Sequence, residues 1–325
     1  MGNSSSRIRR PRFDELPLKP DDPPVSAWGL WGPDDELGSL NILTPEKVKA
    51  AISEVRTGET IPLNLSLDAF IQPMNPARKP CEHTIFAKGN ANDDALNINT
   101  QGASHWDGPR HYPYQSSLKY YNGATQDDIS GPTKNNRLGV HGMARKTITG
   151  RGVLLDWASW AEARGLKYDA FSTFSIPHSQ ILAVAEAQGV SFNEGDILFV
   201  RSGWLSAFHK LTPDQQASLA NRPVRASMGL EASGESIRWH WDNGFAAVAG
   251  DTVAYEVWPS PREWRGISMH EVFLSGWGMP IGESFDLEVL AEKCKKRNCW
   301  SFMFVSVPLD IPGGVASPPN AVAII

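Results

Sequence analysis

Gln101-Gly102-Ala103-Ser104-His105-Trp106-Asp107-Gly108-Pro109-Arg110-His111 packs two histidines and a carboxylate into a short run bracketed by turn formers. In extended backbone, side chains two positions apart share a face, so His105 and Asp107 converge on one point. Gly108 and Pro109 then break the extended run and return His111 toward the same cavity. Imidazole and carboxylate together suit zinc and, with more oxygen ligands, manganese. The same spacing also serves histidines that satisfy core hydrogen bonds, and spacing by itself does not choose between the two.

Outward from this segment the chain alternates helical and strand patterns. Thr44 and Pro45 read as an N-cap and first helical residue; Val48, Ala51, Ile52 and Val55 recur at helical spacing, and Gly58 closes the element. Ile61, Leu63, Leu65 and Leu67 alternate with Pro62, Asn64 and Ser66, the period of a strand with one buried face. A second strand is expected around Thr84 to Phe86. Gly152 to Asp156 reads as a short apolar strand leading to a helix near Trp157 to Arg164, and Pro177 to Gln188 as a helix before a buried strand from Asp196 to Arg201. Leu287, Leu290, Ala291 and Cys294 form a last helical face before strand-like Trp300 to Val307. With no internal repeat and no linker, this mixture predicts a single α/β or α+β domain over residues 25–325. Residues 1–24, rich in proline and charge, read as an extended or disordered arm, with order beginning near Trp28.

Composition narrows the partners. The chain has 325 residues, 41% of them hydrophobic, enough for a substantial core. A net charge of -5 without a basic stripe argues against nucleic acid. Cys81, Cys294 and Cys299 make no disulfide or zinc pattern, which fits a reducing compartment. No apolar run is long enough to span a bilayer and no secretory leader is evident, so a cytoplasmic location is expected. Met1-Gly2-Asn3-Ser4-Ser5-Ser6 fits the N-myristoylation pattern, followed by Arg7, Arg9, Arg10 and Arg12. One acyl chain beside a basic cluster would give a weak membrane association; a plain polar tail is the other reading.

The opening segment resembles the H-x-G-T-H-x-D-x-P-x-H signature of the cyclase family of metal-dependent hydrolases, which includes bacterial kynurenine formamidases and isatin hydrolases. His105, Asp107, Pro109 and His111 match it directly; Ser104 stands for threonine, Ala103 for glycine, and Gln101 for the first metal-binding histidine. Trp28 to Asn41 resembles the N-terminal loop of longer members, its rings lining the substrate mouth or pinning the arm to the body. Met269 to Glu283 resembles the downstream segment in which a histidine is followed by a metal-contacting glutamate, roles that His270 and Glu283 match.

The resemblance implies a swivelling β/β/α fold with a mixed sheet and flanking helices, and a homo-oligomer. It implies that His105, Asp107, His270 and Glu283 hold one or two divalent ions, zinc or manganese, with Gln101 as a weaker, neutral ligand. His111 becomes the proton shuttle, its ordinary pKa suiting removal of a proton from water and its return to a leaving group. The expected activity is hydrolysis of an amide, formamide or lactone bond in a small molecule, with twelve tryptophans favouring an aromatic or other apolar ring. Two alternatives stand beside it: a metal-dependent non-hydrolytic cyclase, dehydratase or isomerase, and a non-enzymatic binding protein on the same scaffold, suggested by Gln101. Glu271 has no metal role, Asp251 and Glu256 read as cap or turn residues, and His83, His141, His178, His209 and His240 as surface or core residues. The absence of a G-x-S-x-G elbow argues against a serine triad.

Overall fold

Nine strands build one mixed sheet: β1 (Thr60–Pro62), β2 (His105–Asp107), β3 (Ile148–Asp156), β4 (Ile197–Arg201), β5 (Ala247–Gly250), β6 (Ile281–Glu283), β7 (Ser301–Ser306), β8 (Ala316–Ser317) and β9 (Ala321–Ile324). Their order across the sheet is β1-β9-β7-β3-β4-β5-β6-β2-β8. β3, β4, β5 and β6 run parallel, and every other neighbouring pair is antiparallel. Parallel neighbours need long crossovers, which helices Trp157–Ala163 and His178–Ala187 supply between β3 and β4, and Gly234–Asn243 before β5. The computed structural model describes residues 9–325, so the myristoylation motif lies outside the described residues. Among the described residues, no helix is long and apolar enough to cross a membrane.

The central strands read as continuous apolar runs because both faces are covered. Leu198, Val200 and Val248 enter one core with Trp157, Trp204 and Phe273. Ile197, Phe199, Ala247 and Ala249 enter the other with Phe285, Phe302 and Phe304.

Three elements differ from their sequence patterns. The first helix, capped by the Thr44 side chain on Lys47 N, ends at Ala51 and tightens into a 3-10 turn at Ile52–Glu54. Its apolar stripe is not continued into the core, for Ile52 is 56% exposed. The expected strand through Leu67 stops at Pro62, because the Asn64 side chain takes the Ala321 N–H at 3.0 Å and Leu65 N turns to Ser104 Oγ at 2.8 Å. The strand near Thr84 belongs to a separate hairpin, Glu82–Lys88 with Ala91–Asn97, exposed along its whole length.

The described part of the arm packs on the body before Trp28. Phe13 is buried against Trp264 with the Arg238 guanidinium over its ring, and Trp241 Nε1 donates to Pro11 O at 2.9 Å.

His240 is locked into the core in one protonation state. Its Nδ1 donates to Ser236 O at 2.7 Å, since a carbonyl can only accept, which leaves Nε2 to accept from Tyr255 Oη at 3.0 Å. Burial pushes its pKa down to about 3 from 6.5. Because the folded-state value lies below the unfolded one, the stability it contributes is complete above pH 6.5 and is lost as pH falls. Denaturant unfolding should show wild type losing about 3 kcal/mol more than His240→Gln between about pH 6.5 and 4. Equal pH slopes would contradict the assignment.

Candidate metal centre

β2 places its three side chains by simple alternation. His105 faces a cavity and Asp107 lies buried behind its wall, while Trp106 enters the opposite core, where it packs on Phe285 and Phe304 and donates Nε1 to Ser306 Oγ at 3.0 Å. β6 runs antiparallel beside β2 with Glu283 opposite His105, Gly282 opposite Trp106 and Ile281 opposite Asp107. Directly opposed side chains share a face, so the register delivers Glu283 to His105 and Asp107. Gly282 is required there: a Cβ would stand 2.6 Å from both Ala249 Cβ and a Phe285 ring carbon, in the stack that seats Trp106.

The three side chains are buried, and their ligand atoms all lie within 4.8 Å of one another. His105 Nε2 is 3.2 Å from Glu283 Oε2 and 3.5 Å from Asp107 Oδ1. His105 Nδ1 lies 2.7 Å from Ala103 O and must donate to it, which turns Nε2 toward the two carboxylates. Among the described residues, neither His105 Nε2 nor Asp107 Oδ2 has a hydrogen-bond partner, although both are buried. Buried polar atoms left without a partner are costly in a protein interior, and a cation relieves that cost. The donor set therefore fits a divalent ion.

His270 adjoins this cluster from the other side of Glu283, at the start of a π-helical turn, Glu271–Gly276. Its Nε2 is 3.0 Å from Glu283 Oε1, and its Nδ1 is 2.6 Å from Glu256 Oε2. Glu256, read from sequence as a cap or turn residue, is a fully buried partner that orients the His270 ring. Nothing local in the sequence ties it to a histidine fourteen positions on. Glu271 turns away to Ser268, Gln115 N and Arg262.

Gln101 adjoins Asp107. Its Nε2 lies 2.6 Å from Asp107 Oδ1, and a carboxylate oxygen can only accept, so the amide presents N–H rather than its oxygen to the site. It is placed as a hydrogen-bond donor to Asp107.

The Gly108-Pro109 turn forms, closed by His111 N to Gly108 O at 3.0 Å. The His111 ring stands 3.6 Å from Asp107 Oδ2 with its side chain 23% exposed. Arg110 fixes this turn from inside, donating to the carbonyls of Asn135, Arg137 and Ile129. Burial lowers the pKa of His111 despite the opposing charge of Asp107. For His105 burial acts the same way, but Asp107 and Glu283 outweigh it and raise the value; Glu256 and Glu283 raise His270 well above the ordinary range. Burial would raise Glu283, yet the adjacent His105 and His270 imidazoles hold it well below the usual carboxylate range.

The cluster lies in a cavity of about 240 Å³ whose apolar wall includes Phe70, Tyr112, Trp204 and Trp258. The tryptophans of the N-terminal loop do not line it. Trp28 instead pins the loop to the body through Nε1 to Ser275 O at 2.6 Å.

The search of curated proteins finds no match. A crystal structure of a novel cyclase superposes with a TM-score of 0.80 and 28% identity, covering 92% of this chain and 99% of that one. Isatin hydrolase A from Labrenzia aggregata, bound to benzyl benzoate, gives a TM-score of 0.58 at 14% identity over 85% of this chain and 95% of that one. Isatin hydrolase A from Ralstonia solanacearum gives 0.56 at 14% over 86% and 98%. These two are likenesses of fold. The model of the cyclase family, described as "Putative cyclase", matches residues 34–257, a span that holds His105, Asp107, His111 and Glu256, while His270 and Glu283 lie beyond it. With most of its length matched by that model, the chain belongs to the cyclase family.

Proposed function

We propose that this protein is a metal-dependent hydrolase that cleaves an amide, formamide or lactone bond of a small substrate carrying an apolar ring. The observation that carries the reading is the pair of buried, unpartnered atoms, His105 Nε2 and Asp107 Oδ2, beside Glu283 in the cavity wall. One imidazole and two carboxylates suit zinc or manganese. A bound divalent ion supplies Lewis-acid polarisation of a carbonyl and makes water more acidic.

Each neighbouring residue then has a task. His105, Asp107 and Glu283 would hold the ion, with His270 on the far oxygen of Glu283 and kept in place by Glu256. Gln101 occupies Asp107 Oδ1 and leaves Oδ2 free, which favours one ion over two. His111, neutral near pH 7 because burial lowers its pKa, can take a proton from water and return it to the leaving group. Phe70 and Trp204 offer an apolar surface for a ring and keep bulk water from the carbonyl. The same residues could serve a non-hydrolytic cyclisation or dehydration. Oxygen-18 from solvent water in the product carboxyl group supports hydrolysis, and turnover without label supports the other chemistry.

Elemental analysis of the purified protein should find one zinc or manganese per chain, lost in His105→Ala and in Glu283→Ala; unchanged content in both variants would overturn the site. Gln101→His should raise the stoichiometry toward two, and a ratio that stays at one would reject the role given to Gln101.

Competition with a chelator should show Glu256→Gln retaining the ion about 10–100-fold more weakly, with the fold intact by circular dichroism. Retention equal to wild type would remove Glu256 from the site.

The acid limb of kcat/KM should fall below pH 6.5, because His111 must be neutral to accept a proton and its pKa is lowered. His111→Ala should cost about 10²–10⁴-fold in kcat and lose that limb. An unchanged limb in the variant would assign it to another group.

A further inference from the structure

The cavity carries positive charge that its ion site does not need. Arg78, Arg222 and Arg225 all line it, and Glu283, already engaged by His105 and His270, is the sole lining residue with a carboxylate. Among the described residues, none of the three guanidiniums has an ion-pair partner within 4.0 Å. Arg78 donates to Gln101 O at 2.8 Å and Arg222 to Phe171 O, neutral carbonyls that leave the charge uncompensated; Asp169 acts on Arg222 only at longer range.

Arg78 also adjoins the cluster, because the Gln101 to which it donates contacts Asp107. A dication held by Asp107 and Glu283 would be neutralised by those two carboxylates. Three positive charges would still face the cavity. Guanidiniums beside a cation site weaken cation binding, but their planar fork matches a carboxylate, and a cavity of one sign concentrates ligands of the other.

Resting on the hydrolase reading above, we infer that the substrate is an anion: an amide- or ester-type compound whose ring or side chain carries a carboxylate. Arg78 and Arg222, both half-buried, hold that carboxylate, and Arg225, exposed at the rim, draws it in. The ring lies against Phe70 and Trp204, and the scissile carbonyl points to the His105 and Glu283 wall.

The test uses formanilide and its three ring-carboxylated relatives, 2-, 3- and 4-formamidobenzoate, titrated into metal-loaded protein by calorimetry. At least one formamidobenzoate should bind about tenfold or more tightly than formanilide at low salt, and the preference should shrink as salt is raised to about 0.5 M. In Arg78→Gln/Arg222→Gln the ratio should fall below about threefold, and Arg225→Gln, altered at an exposed position, should reduce it by a smaller factor. No preference in wild type overturns the inference. A preference that survives the arginine variants also overturns it, because the carboxylate would then sit on the ion. Formate release is read separately: preference without turnover counts against the hydrolase reading and keeps the anion site, whereas turnover without preference does the reverse.

Discussion

The pairing of β2 with β6 sets everything else in the site. Antiparallel register puts Glu283 opposite His105, and the alternation of β2 puts Asp107 on the same face. A slip of one residue would send His105 and Asp107 into the apolar core and Trp106 into the cavity. The register is therefore held on the core side, by Trp106 against Phe285 and Phe304 with glycine at position 282 opposite it. Ser104 Oγ adds a second pin by donating to Ser284 O at 2.5 Å. β8 closes the outer edge, with Ala316 beside Asp107 and Ser317 beside Trp106.

On the cavity side the same strands bear a polar cost. Burying imidazole and carboxylate groups is unfavourable unless their hydrogen-bonding capacity is met. His270 meets it twice, through Glu256 and Glu283, and Asp107 meets half of it through Gln101. In that polar cluster His105 Nε2 and Asp107 Oδ2 stay unmet, the two atoms that an ion would join.

Much of this was legible in the residues. Convergence of His105 and Asp107 follows from strand alternation, and the turn that returns His111 follows from Gly108 and Pro109. Glu283 and His270 were reached through resemblance, because strand pairing across about 180 residues leaves no local signal. Glu256 was read as a cap because its bond to His270 depends on how the Leu230–Glu256 bridge positions it. The amide direction of Gln101 is decided by the oxygen of Asp107 that it meets, which no motif records. Trp28 looked equally suited to the cavity mouth and to the arm, and only its bond to Ser275 O decides for the arm. The arginines of the cavity come from two distant stretches, around Arg78 and from Arg222 to Arg225, so folding alone assembles them.

An ion in this cavity is best sought by anomalous diffraction, at the metal absorption edge, from crystals of the protein grown with zinc or manganese. A single strong peak coordinated by His105 Nε2, Asp107 Oδ2 and Glu283 is expected. An ordered ion elsewhere, or no peak in the cavity while those side chains stay in place, would contradict it.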